Sequence, residues 1–145
     1  MKKLIASSAL VIACAVPALA ADGVVAVPFQ GTFEDASFAV ETAIVGQGLV
    51  IDHVSHVGDM LARTGADVGS DVEVFKAADV FTFCSAKVSR EVMEADPMNI
   101  GFCPYGIFVA ETAEGVMIGY REYPAGPMDK VEALLDGIIR EAVGD

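Results

Sequence analysis

Residues 105–123 read YGIFVAETAEGVMIGYREY, and this stretch decides the fold. Two runs rich in aromatic and β-branched residues, 105–111 and 116–123, flank a four-residue turn with Gly115 at its end, the pattern of two strands folded into a hairpin. In the second run Val116, Ile118 and Tyr120 alternate with Met117, Gly119 and Arg121. A period of two puts the first three on one face and the last three on the other, so one face is the more apolar. The segment from Met128 to Val143 supplies a cover: Val131, Leu134, Leu135, Ile138, Ile139 and Ala142 recur at helical spacing, and Pro127 stands where the first turn of a helix tolerates proline. A helix laid on a hairpin predicts an α+β domain.

Towards the N-terminus the same punctuation repeats. Residues 78–84 (ADVFTFC) predict an inner strand. Ser85 can cap a short helix running through Ala95, which Asp96-Pro97 stops. Residues 49–57 (LVIDHVSHV) predict another strand, followed by a brief helix over 59–64 and a Gly- and Asp-rich loop to about Ser70. Thr32, with Asp35 three residues on, forms a capping box for a helix to about Val45, with Ala36, Val40, Ala43 and Ile44 inward and Gly46 or Gly48 as the stop. Residues 21–31 (ADGVVAVPFQG) predict a first strand that Pro28 confines to an edge or an end. The order is β-α-β-α-β-α-β-β-α. A mixed or antiparallel sheet with helices on one face buries it as a single compact domain over residues 21–145.

The first twenty residues have the three parts of a secretory leader. Lys2 and Lys3 are the basic start, Leu4 to Val16 is uncharged, and Ala18-Leu19-Ala20 offers a cut before Ala21. This predicts a periplasmic or secreted protein with no membrane span after cleavage; Cys14 offers a less favoured lipoprotein alternative. Without Lys2 and Lys3 the chain carries 7 basic against 21 acidic residues, a charge of −14. Such a surface repels nucleic acid and anionic lipid and favours cationic partners.

Cleavage leaves two cysteines, Cys84 and Cys103. In an oxidising compartment they are first a candidate disulfide, closing a loop of about 20 residues worth about 3 kcal/mol. In a parallel β-α-β unit they would lie at opposite edges of the sheet, unless the loose stretch from Asp96 to Phe102 carries the chain back. Two separate thiols, or shared ligation of a metal or haem, stay open. His53 and His56 would point to opposite faces of a strand, His53 with Leu49 and Ile51, His56 with Val50 and Val54. His56, at the turn and with Met60 beyond it, could join Cys84 and Cys103 in a soft site for Cu, Zn or haem iron. Cys103-Pro104 also resembles the cysteine-proline motif of some haem-responsive proteins. Arg90 and Arg121 are anion candidates beside Ser85, Ser89 and the start of that helix; pairing with a carboxylate is the plainer expectation. Asp52, Asp59 and Glu111 are weaker candidates for acid–base work. The methionines Met60, Met93, Met98, Met117 and Met128 read as core filler.

Three segments, VFTFCSAKVSREVMEADP, FCPYGIFVAE and GVMIGYREYP, with the upstream helix and the strand led by Gly48, resemble the domain of unknown function (DUF) 302 family over roughly residues 32–124. The resemblance implies a TBP-like arrangement of helices on a curved sheet and admits a homodimer; it implies no activity. Cys84 and Cys103 depart from the commoner pattern of that family. Three functions follow as expectations. The first is a non-enzymatic binding or accessory domain with a soft-metal or haem site. The second is a thiol-redox protein using Cys84 and Cys103 with a redox partner. The third is a dimerising interaction module in which the cysteines form a structural disulfide.

Overall fold

The computed structural model describes residues 23–145; the expected leader, and Cys14 within it, lie outside the described residues. The hairpin that decides the fold is formed by β4 (Tyr105–Thr112) and β5 (Gly115–Arg121). Its turn is tighter than the expected four residues. Thr112 pairs with Gly115, leaving only Ala113 and Glu114 as the loop, and Thr112 Oγ1 accepts the Glu114 N–H at 3.2 Å. Gly115 takes φ +130°, a backbone conformation that glycine accepts without strain.

The other elements follow the expected order: β1 (Val24–Phe29), α1 (Phe33–Gly46), β2 (Val50–His56), α2 (Val57–Thr64), β3 (Ala77–Cys84), α3 (Ala86–Ala95) and, last, α4 (Asp129–Val143). Single-domain α+β architecture is what the structure has. The sheet runs β1-β5-β4-β3-β2, and all four neighbouring pairs are antiparallel. Pro28 therefore sits on an edge strand, where its missing N–H costs no inner ladder bond.

Local chemistry sets the helix ends as expected. Thr32 Oγ1 accepts the Asp35 N–H at 3.1 Å while the Asp35 carboxylate accepts the Thr32 N–H at 3.2 Å, a reciprocal cap on α1. Its buried residues are Ala36, Val40, Ala43 and Ile44. Ser85 caps α3 by accepting the Val88 N–H at 3.3 Å.

One sheet face carries the core. Phe81, Phe83, Tyr105, Ile107, Val109, Val116, Ile118 and Tyr120 meet α1 and α4 there. Burying an aliphatic or phenylalanine side chain of this size contributes about 1.5–3 kcal/mol. Tyr120 Oη donates to Asp136 of α4 at 2.6 Å; burial, then that carboxylate, pushes its phenol above the ordinary range. Met128 joins this core, but Met60 and Met98 are exposed, so they are not the filler that composition suggests.

The opposite face receives the alternate residues: Val80, Thr82 and Cys84 of β3, Gly106, Phe108 and Ala110 of β4, and Met117, Gly119 and Arg121 of β5. The Phe108 ring lies over Gly119, where a Cβ would come within 2.5 Å of Phe108 Cζ. Glycine at 119 is thus required by the still closer approach of the Val25 carbonyl of β1 together with the ring. Among the described residues no helix is long and apolar enough to cross a membrane.

Candidate functional site

The site begins where β3 ends. Phe83 pairs with Tyr105 in the antiparallel ladder, so the end of β3 and the start of β4 lie at the same edge of the sheet. The parallel unit considered from the sequence does not form. α3 leads the chain away for about 15 Å at 1.5 Å per residue. The stretch expected to be loose is a 3₁₀ helix, Pro97–Phe102, opened by Asp96 accepting the Met98 N–H at 2.9 Å, and it brings the chain back. Cys84 and Cys103 therefore lie at the same sheet edge, with Cys103 close enough to raise the Cys84 thiol.

Both cysteines are free thiols, partly buried. The Tyr105 backbone amide and the Asp52 carboxylate lie near the Cys84 sulfur. Burial, then the neighbouring Cys103, push the Cys84 thiol up to about 12. At neutral pH Cys84 holds its proton. The Cys103–Pro104 peptide is cis.

Aromatic side chains back this pair. Tyr105 is fully buried and its hydroxyl shares a 3.0 Å hydrogen bond with Ser89; burial raises its phenol against the opposing pull of that bond. The Tyr105 and Tyr123 rings meet edge-on at 6.2 Å, as do Phe102 and Tyr123 at 6.0 Å. Arg121 closes the cluster. Its guanidinium donates to the Phe102 carbonyl at 3.1 Å and lies 5.8 Å from the Phe102 ring and 5.2 Å from the Tyr123 ring, cation–π range for both. Beside it, Val80, Thr82, Pro104, Gly106 and Phe108 line a pocket of about 270 Å³ on the open sheet face.

The histidines stand elsewhere. His56 pairs with Asp79 in the ladder and Val50 with Cys84, five residues away along β3 or about 17 Å. His56 therefore cannot share a centre with the cysteines, and the expected His56–Cys84–Cys103 site is not assembled. Its Nδ1 instead lies 2.7 Å from Asp79 Oδ1. His53 faces away from His56 as expected, but with different companions. Ile51 pairs with Phe83 and His53 with Thr82, so Asp52 is an extra residue, a bulge that turns His53 to the open face. Among the described residues no three His, Cys, Asp or Glu side chains are grouped to hold a metal.

The arginines also part. Arg90 is exposed and pairs with Glu94 at 3.2 Å. Ser85 is engaged at the cap and Ser89 on Tyr105; an open pocket of about 500 Å³ lies between Ala86, Ser89, Arg90, Met93 and Glu94, where the Glu94 carboxylate opposes the Arg90 charge. Asp52 lies by Cys84, Asp59 by His56, and Glu111 takes Lys76 at 3.5 Å, so these carboxylates form no acid–base pair. Tyr105, Tyr123, Phe102 and Asp79 were missed from the sequence. Tyr123 was legible as the residue closing the hairpin strand, but its place against Tyr105 depends on the chain's return at Cys103.

A profile of the domain of unknown function DUF302 matches residues 25–136. The fold is similar to the crystal structure of an uncharacterized conserved DUF302 protein from Bacillus stearothermophilus, with a TM-score of 0.60 and 15% identity over 86% of this chain and 94% of that one. No curated protein matches the chain.

Proposed function

The chain belongs to the DUF302 family, and from that premise we propose that it is an exported accessory domain whose Cys84 and Cys103 form a dithiol–disulfide couple. The family supplies the fold and no chemistry, so the proposal rests on this chain's own side chains. One observation carries it: the Phe83–Tyr105 register and the return along Pro97–Phe102 bring two thiols far apart in sequence to the same sheet edge. An adjacent, partly accessible thiol pair needs only the loss of two electrons and two protons to close. A disulfide in the partner or in a small molecule is the oxidant class that would accept them. The soft-metal and haem reading is less well supported, since its histidine lies at the far end of β2.

The test is a redox titration of the mature chain in thiol–disulfide buffers, read by intact mass after acid quenching. The expected result is a single two-electron transition between full-mass dithiol and a species two hydrogens lighter, abolished in Cys84→Ser. A pair that stays reduced even with excess disulfide would overturn the proposal. A stoichiometric metal or a Soret band on protein purified from its native compartment would favour ligand binding instead.

A further inference from the structure

We infer that the open sheet face carries a carboxylate subsite at Arg121, which seats one half of a small carboxylate-bearing disulfide against the Cys84–Cys103 pair. This rests on the thiol-redox reading and names its co-substrate class. The Arg121 guanidinium is the one cationic group lining the pocket formed with Val80, Thr82, Pro104, Gly106 and Phe108. Its place is fixed before any ligand arrives, by the Phe102 carbonyl at 3.1 Å and by two aromatic rings. A guanidinium has five N–H donors in a planar fork, so one bond to a carbonyl leaves donors for a carboxylate. Among the described residues it makes no ion pair, although the chain carries 21 acidic residues.

The rest of the pocket suits such a ligand. Val80 and Phe108 offer apolar contact for methylene groups, and Gly106 leaves the floor open. At about 270 Å³ it lies just below the usual range for drug-sized ligands, about 300–1,000 Å³, and so holds one half of a disulfide rather than the whole. Pro104 on its wall follows Cys103, and Thr82 is two residues before Cys84 on the same face, about 7 Å along the strand. The −14 surface repels an anion at long range, but that field is screened within about 8 Å at physiological salt. Contact with Arg121 then decides.

The exchange balances. Cys103 gives its proton to solvent and its thiolate attacks the nearer sulfur of the seated disulfide; a new S–S bond forms, the ligand's own S–S bond breaks, and the outer half leaves as a thiolate that takes up a proton. Cys84 then gives its proton to solvent and attacks the Cys103 sulfur, expelling the seated half as a second thiol. Two protein thiols are oxidised and one small disulfide is reduced to two thiols.

Two measurements test this. In the first, S-methylglutathione, which has carboxylates but no reactive sulfur, is titrated into the mature chain and followed by amide chemical shifts. Shifts should centre on Gly106, Phe108 and Arg121, and affinity should fall roughly tenfold in Arg121→Gln and also in Gly106→Ala. An added Cβ at 106 meets only ordinary contacts, 3.6 Å from Val80 Cγ1, so that variant keeps the fold while filling the pocket floor. Binding unaffected by Arg121→Gln, or none at millimolar ligand, overturns the subsite. In the second, oxidation by glutathione disulfide is compared with oxidation by cystamine, which lacks carboxylates. Arg121→Gln should slow the former about tenfold more than the latter. Equal slowing of both, or of neither, removes the subsite and spares the thiol-redox reading. No oxidation by either removes that reading, and the co-substrate role with it.

Discussion

Asp79 holds its carboxylate 2.7 Å from His56 Nδ1, and that hydrogen bond, with the charge behind it, raises the imidazole above its ordinary value of 6.5. The folded chain thus binds this proton more tightly than the unfolded chain. The stabilisation is fully present below about pH 6.5 and is lost as pH rises through the folded value. Because the ring is 62% exposed, solvent screens the pair and the effect on stability is small. It is best read on the ring itself: His56 should titrate above 6.5 by proton NMR, and Asp79→Asn should bring its midpoint down. A midpoint insensitive to that change would mean the pair does not persist in solution. The Cys84 proton has a chemical consequence at the same scale. A thiol pushed up to about 12 supplies almost no thiolate at pH 8, so a brief iodoacetamide pulse should label Cys103 several-fold faster, as peptide mass analysis can show. Faster labelling of Cys84 would reverse the roles assigned to the two sulfurs.

Strands and helices were the legible part of this chain because their signals are local. The Thr32–Asp35 box, the Ser85 cap and the alternation from Val116 to Arg121 each lie within a few residues, and each is found where the sequence placed it. Asp52 was not legible as a bulge, because only the register against β3 reveals the extra residue. The burial of Met128 and exposure of Met60 and Met98 were likewise hidden, since all three are compatible with a helical face or a loop. Gly119 shows how tightly β5 is held once paired. A side chain there would press on Phe108 and on the Val25 carbonyl of the neighbouring strand, and that backbone cannot yield without breaking the ladder. Gly119→Val should destabilise the domain by about 3 kcal/mol, seen as a lower urea midpoint with an unchanged slope. A change below about 0.5 kcal/mol would mean that the Phe108 ring swings aside and β1 shifts off β5 at no cost, so that β5 is not tightly held.

At the scale of the whole molecule, the meeting of Cys84 and Cys103 depends on strand direction, which no short motif specifies. The sequence allowed a parallel unit, with the thiols at opposite edges, and an antiparallel one, with them side by side. Only the return along Pro97–Phe102 decides between these. The same topology sets what closure of the pair does to stability. A bond between residues 84 and 103 closes a loop of about 20 residues in the unfolded chain, which raises stability by about 3 kcal/mol if the native ends need not move. For a domain of this size the unfolding entropy near 60 °C converts that to roughly 10 °C in Tm. Calorimetry of the oxidised chain, the reduced chain and the Cys84→Ser/Cys103→Ser variant should therefore show the oxidised form alone melting about 10 °C higher. Coincident transitions would mean that closing the pair distorts the sheet edge by as much as it constrains the unfolded chain. In that case the oxidised state is the strained one, the couple is oxidising, and disulfide would be passed outward to a partner thiol more readily than retained.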